Sequence, residues 1–154
     1  MSPALREVAR ALLLDDAGRI LLVHWRDPIT RHEFLEPPGG AREPGESFED
    51  ALRREVAEET GVEGLTVARF VAEIDHEFTF GGRRYECRER YYVCRPTGGA
   101  RRDTRLDPVE AEGIVGIGWW AVADLGASGL SLEPPALLEL LRGLDEPGRG
   151  RGRD

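Results

Sequence analysis

The chain has 154 residues, of which 40% are hydrophobic and 32% charged, and its formal net charge is −8. That is one domain's worth of soluble globular polypeptide, long enough to bury a core. All 21 basic residues are arginine. This excludes a lysine Schiff base, an internal lysine for pyridoxal phosphate and the lysine of a Walker-type loop; the net negative charge argues against coating a long nucleic acid.

In chain order, residues 5–26 read as a hairpin. Val8 to Leu14 is apolar, Asp15-Asp16-Ala17-Gly18 has turn chemistry, and Ile20 to Trp25 is apolar again. Residues 27–38, with three prolines, form a connection, and 39–46 a loop of Gly, Pro and Glu. Residues 47–60 predict a helix, with Ser47 as N-cap, Asp50 three positions on, and Gly61 as the stop. Strands are expected over 65–74, 76–80 and 84–94, the last two joined by a Gly81-Gly82 turn. Pro96 to Arg105 is a turn-rich connection, 114–120 a short strand ending in Trp119-Trp120, and Pro134-Pro135 opens a second helix over 136–141.

The order of elements predicts a single α+β domain over 5–143, with a disordered tail over 144–154 rich in Gly and Arg. Ala11 to Leu14 is too short for a signal-peptide core and meets Asp15-Asp16 at once, and no run approaches roughly 18 apolar residues. Cys87 and Cys94 fall seven apart in one strand and face opposite ways, so they read as buried reduced thiols. These features point to the cytoplasm.

The helix over 47–60 carries the chemistry. At about 100° per residue, Phe48, Leu52 and Val56 form the apolar stripe. Glu55, Glu58 and Glu59 share an arc of roughly 100°, and Glu55 and Glu59 overlap that stripe. Solvated acids belong away from a core; these lie beside it. Three adjacent carboxylates raise one another's pKa, and a divalent cation removes that cost. Oxygen donors with no His/Cys cluster nearby point to Mg2+ or Mn2+. Gly39-Gly40 lets the backbone present a carbonyl or amide with no side chain in the way.

Gly40, five residues, Glu46, seven residues, then Arg54-Glu55-Val56-Ala57-Glu58-Glu59-Thr60-Gly61-Val62 resembles the Nudix box, G-x5-E-x7-R-E-U-x-E-E-x-G-U with U aliphatic; all nine defined positions fit over 23 residues. The flanking elements are also in the family's order. The resemblance implies an α/β/α sandwich with a mixed sheet. It places metal ligands at Glu55, Glu58, Glu59 and the carbonyl of Gly39, and an orienting ion pair between Arg54 and Glu46. It implies hydrolysis of a nucleoside diphosphate linked to another moiety: a nucleoside triphosphate, a nucleotide sugar such as ADP-ribose, or a dinucleotide cofactor. Glu55 and Glu59 would be catalytic. The general base is Glu55 or an acid of the loop before the Trp strand, Glu110 or Glu112, with Glu112 preferred on spacing. Many relatives dimerise, so a homodimer is expected. Two rivals stand beside this reading. A non-catalytic nucleotide-binding regulatory domain usually carries a degraded box, and the isoprenyl diphosphate isomerase branch departs from the box and uses a cysteine.

Residues 83–105 carry a local charge of +5 against −6 over 43–63. Two solvated surfaces that neutralise one another account for this; the alternative is that one or two of the arginines grip substrate phosphate. Arg26, at the end of the second strand, is a further phosphate or ribose candidate. Phe78 and Phe80 share a strand face, as core or as a platform for a base. His24, His32 and His76 show no ligand spacing and read as structural or surface groups. Trp119 and Trp120 point to opposite sides of their strand.

Overall fold

The first apolar run forms β1 (Leu5–Leu13), which has both faces buried from Val8 onward. The structure, a computed structural model, describes residues 4–97 and 112–144. β1 is followed by β2 (Arg19–Arg26), β3 (Glu33–Glu36), β4 (Gly39–Ala41), α1 (Phe48–Thr60), β5 (Leu65–Phe80), β6 (Arg83–Pro96) and β7 (Ile114–Ala121). Then come α2 (Val122–Leu125), β8 (Ser131–Leu132) and α3 (Leu137–Gly143). The strands make two mixed four-stranded sheets, ordered β4-β1-β6-β5 and β7-β2-β3-β8. The fold is α+β, with two mixed sheets where one was expected.

β1 and β2 are not a hairpin. Their turn forms as the sequence predicts: the Asp15 carboxylate accepts the Ala17 and Arg19 backbone N–H groups at 3.0 and 2.8 Å, and Leu14 bridges to Ile20. Beyond that bridge the strands part. Both edges of β1 are taken, by β4 antiparallel and by β6 parallel, while β2 lies between β3 and β7. Turn chemistry decides the reversal and not the ladder partner. The expected connection and loop likewise each contain a short strand, β3 and β4, because their backbone groups complete the edges that β2 and β1 offer.

The long excursion after α1 is a true hairpin. β5 runs unbroken across the two predicted strands, with irregular register between Val67 and Arg69 and between Phe70 and Ala72. Gly81 and Gly82 turn it at φ 61° and 80°, the left-handed pair that a two-residue turn requires. The expected connection over 96–105 and the disordered tail lie largely outside the described residues.

Two apolar clusters hold the layers. One joins Ala9, Ala11, Leu13 and Tyr92 to Ala51, Leu52 and Val56 of α1; the other joins Leu12, Ile20, Leu22, Leu35 and Tyr91 to Leu125, Leu137 and Leu141 of α2 and α3. Alternate residues of β1 therefore face opposite clusters, which is why its sequence reads as a continuous apolar run. Trp119 packs on the first cluster and Trp120 on the second. Both cysteines are buried and free.

α1 is capped as its sequence specifies. The Ser47 hydroxyl accepts the Asp50 N–H at 3.0 Å, and Gly61 closes the helix at φ 78°. Leu52 is fully buried between α1 and the first sheet. Leu52→Ala is expected to lower unfolding free energy by about 3 kcal/mol, read from urea denaturation.

Candidate active site

The acidic residues of α1 meet very different surroundings. Glu59 is 2% exposed, and its Oε1 accepts the backbone N–H of Gly39 at 3.0 Å. Glu55 is half-buried and lies against the backbone of Gly40: a Cβ there would sit 2.4 Å from the Glu55 carboxyl carbon. Gly39 is more constrained still, since a Cβ would come within 2.0 Å of the Ala9 carbonyl oxygen. Both glycines are therefore needed for β4 to run between β1 and the acidic face of α1.

Arg54 ties this face together. Its Nε and one Nη donate to the two oxygens of Glu46 at 2.8 and 2.9 Å, a bidentate pair, and the same side chain reaches the Ala41 carbonyl at 3.0 Å. Its other Nη donates to Glu55 at 2.8 Å and lies 3.6 Å from Glu58. The Arg54 hydrogen bonds hold the Glu46 carboxyl down at about 2. Burial raises the Glu55 carboxyl above its ordinary value against the hydrogen bond from Arg54, and the like charge of Glu58 adds to the rise. The donors are hard oxygens with no thiolate among them, which fits a hard divalent cation. They are not pre-gathered: among the described residues no three His, Cys, Asp or Glu side chains converge as a ligand set.

A second, buried charge cluster backs the first. Arg10, on β1 opposite Gly39, is 7% exposed. It donates to the Gly39 and Pro37 carbonyls at 3.4 and 3.3 Å and pairs with Glu89 and Glu36 at 3.2 and 3.3 Å. Tyr91 donates its hydroxyl to Glu89 at 2.6 Å. His76 bridges Glu89 and Glu133 at 3.4 and 3.3 Å. The facing carboxylates of Glu133 and then Glu89 push its pKa up to about 10 against the effect of burial. Burial works against the charge on Glu89, but Arg10, His76 and Tyr91 outweigh it and hold the carboxyl at about 2. For Glu36 the balance reverses, and burial pushes it up to about 7 in spite of Arg10.

Glu59 of the acidic face and Arg10, Glu36, His76 and Glu133 of the second cluster line one cavity of about 340 Å³, while Glu55 and Glu58 are not among its lining residues. Gly39, Gly40, Glu59, Glu36, His76 and Glu133 line its polar end, and Trp25, Phe34, Phe78, Phe80 and Tyr85 its aromatic walls. Phe80 meets Trp25 and Phe34 edge-on with centroids 5.6 and 6.2 Å apart, and Phe78 stacks on Tyr85 at 5.1 Å. Phe78 is thus in the cavity wall. Arg26 is half-buried at the end of β2 and is not among the lining residues. Glu112 is exposed just before β7 and is not among the residues that line this cavity; Glu110 lies outside the described residues.

The family model for the NUDIX domain matches residues 4–141. The chain belongs to the Nudix family. MutT4 of Mycobacterium tuberculosis, described as a mutator protein, is 40% identical over 73 residues, which is 47% of this chain and 29% of that protein. The chain thus spans less than a third of the length of that curated relative. A MutT protein from Methanosarcina mazei superposes with a TM-score of 0.67 at 18% identity, over 92% of this chain and 94% of that one. A Nudix hydrolase from Nitrosomonas europaea superposes with a TM-score of 0.66 at 24% identity, over 90% of this chain and 87% of that one. These likenesses establish the fold.

Around the Nudix box, the acidic face of α1 is readable from the sequence, and the cluster behind it is not. Arg10, Glu36, Glu89 and Glu133 sit on four separate strands or loops, and no local spacing links them. The faint signal is an arginine within an apolar strand, at Arg10. Burial of an ionised Glu36 has a consequence for stability. With a folded pKa of about 7 against an ordinary 4.5, the folded chain binds the proton more tightly, so this group's contribution falls as pH rises through that window. Glu36→Gln is expected to raise stability by about 1 kcal/mol at pH 8 and to be neutral near pH 4, read from denaturation at both pH values.

Proposed function

We propose that the chain is a divalent-metal-dependent pyrophosphohydrolase that cleaves a nucleoside diphosphate linked to another moiety. Mg2+ or Mn2+ would be held by Glu55, Glu58, Glu59 and the carbonyl of Gly39. The observation that carries this reading is the buried carboxylate of Glu59, fixed by the Gly39 N–H at the polar end of a cavity whose other walls are aromatic. A structural glutamate gains nothing from that position, whereas a ligand beside a nucleotide-sized pocket does.

When bound, the cation would offset pyrophosphate charge and make attacking water more acidic. The protein's own groups supply the rest. The Gly39 N–H orients Glu59. Arg54, locked bidentately to Glu46, neutralises and positions Glu55 and Glu58. The base that takes a proton from the attacking water would be Glu55, whose carboxyl has a raised proton affinity, or Glu112 of the segment before β7. The ring of Phe78, stacked with Tyr85, offers a face for the nucleobase. Substrates are small nucleotides rather than a long nucleic acid, in keeping with the net charge of −8. A cytoplasmic setting and a homodimer belong to the same proposal. No helix among the described residues is long and apolar enough to cross a membrane.

A panel of nucleoside triphosphates, nucleotide sugars and dinucleotides, assayed with Mg2+ and Mn2+ for phosphate, pyrophosphate and nucleoside monophosphate, tests the reaction. Turnover of at least one member is expected; tight binding with no turnover would favour the regulatory-domain alternative. Glu59→Gln removes a charge and little volume, so it is expected to lower kcat at least about a hundredfold while far-UV circular dichroism stays unchanged. Millimolar Mg2+ should raise the Tm of the parent and not that of Glu59→Gln. Absence of a shift in the parent would count against the metal site.

A further inference from the structure

On β6, Arg84 is tied to Glu77, Arg88 to Asp75 and Arg90 to Glu73, all cross-strand partners on β5. Those arginines have their charge matched by a carboxylate across the strand pair. Two others differ. Arg6 on β1 and Arg83 at the start of β6 are exposed, both line the cavity, and among the described residues neither has a carboxylate within ion-pair distance. In a chain of net charge −8, arginines left unmatched at the rim of a pocket need a reason. Each is held over the ring of Tyr85, with its guanidinium carbon 5.2 Å (Arg6) or 5.5 Å (Arg83) from the ring centroid. That contact biases both guanidiniums toward the ring and uses none of their N–H donors. The same two arginines and Tyr85 also line a second recess, with Ala4 and Arg84.

This end is distant from the acidic face of α1. Arg6 and Arg10 lie on the same face of β1 four residues apart, about 13 Å along an extended strand, and Arg10 is the residue opposite Gly39. A substrate with its pyrophosphate at Glu59 and its base on the Phe78 wall therefore brings another part of itself to Arg6 and Arg83.

We propose that Arg6 and Arg83 bind a second phosphate of the substrate, a phosphomonoester remote from the scissile pyrophosphate. Position and charge together select this group: the scissile pyrophosphate is engaged at the Glu59 end, and a phosphomonoester, which approaches two negative charges near neutrality, offers acceptors to both guanidiniums. The substrate class is then a nucleotide pyrophosphate that carries an additional phosphate on its nucleoside part. The inference rests on the pyrophosphohydrolase reading for the chemistry of the other end, and the experiment separates the two.

Two substrate pairs differ only by such a phosphate: NADP+ with NAD+, and coenzyme A with its 3′-dephospho form. With Mg2+ or Mn2+, the phosphorylated member of at least one pair is expected to show kcat/KM about tenfold or more above its partner. Arg6→Ala and Arg83→Ala, made separately, should each raise KM for that member about tenfold without changing kcat, and erase the preference. Arg6→Lys and Arg83→Lys should restore part of it. Arg142→Ala, on the exposed side of α3, should change nothing. A second readout needs no turnover: titration calorimetry in EDTA should show tighter binding of the phosphorylated member, lost in the alanine variants. Equal turnover of both members in both pairs would overturn the inference and leave the hydrolase reading standing. If no compound is hydrolysed, the hydrolase reading falls and the metal-free titration decides alone. A preference for the phosphorylated member that depends on Arg6 and Arg83 upholds the inference, and equal or absent binding overturns it.

Discussion

The arrangement depends on one buried cation. The Arg10 guanidinium sits where β1, β3, β4 and β6 meet, and it reaches two backbone carbonyls and two carboxylates from a nearly solvent-free position. Without a charge there, Glu36 and Glu89 would face each other in a low dielectric, and the carbonyls of Pro37 and Gly39 would lose a donor. Arg10 therefore holds the short strand β4 in place from behind. β4 in turn presents the Gly39 N–H to Glu59 from the front. The acidic face of α1 is positioned through this relay of backbone contacts, and not by α1 alone.

The same relay explains why the carboxylates near the cavity behave so differently. Glu46 and Glu89 lie against arginines and stay ionised to low pH, while Glu36 shares its arginine with Glu89 and is left with the larger share of the burial penalty. Glu55 is between these extremes, with one guanidinium contact and a neighbouring like charge. Firmly ionised acids and acids ready to hold a proton thus stand side by side in these clusters. Acid and base roles in a site are separated by this kind of environmental contrast.

The cavity also has a direction. Its polar end is made by α1, β4 and the Arg10 cluster, its middle by aromatic rings from both sheets, and its far end by Arg6, Arg83 and Tyr85. The two sheets need not separate to form it. β5 and β6 extend well beyond the shorter strands β3 and β4, and the overhang forms the aromatic and cationic wall.

Much of this was determined by the sequence alone. The acidic stripe on α1, the Ser47 and Gly61 caps, the Gly81-Gly82 turn and the glycines before the helix are local patterns, and local backbone geometry is enough to produce them. The Nudix box is legible for the same reason, since its ligands repeat at helical spacing within 23 residues. What only the tertiary structure decided is long-range. The partners of β1 and β2, the strands hidden in the presumed connection and loop, and the meeting of Arg10 with Glu36, Glu89 and His76 depend on which edges pair. The same holds for the convergence of Arg6 with Arg83, which stand 77 positions apart in the chain. No local periodicity encodes such contacts, because they arise from competition among strands for backbone hydrogen bonds across the whole fold.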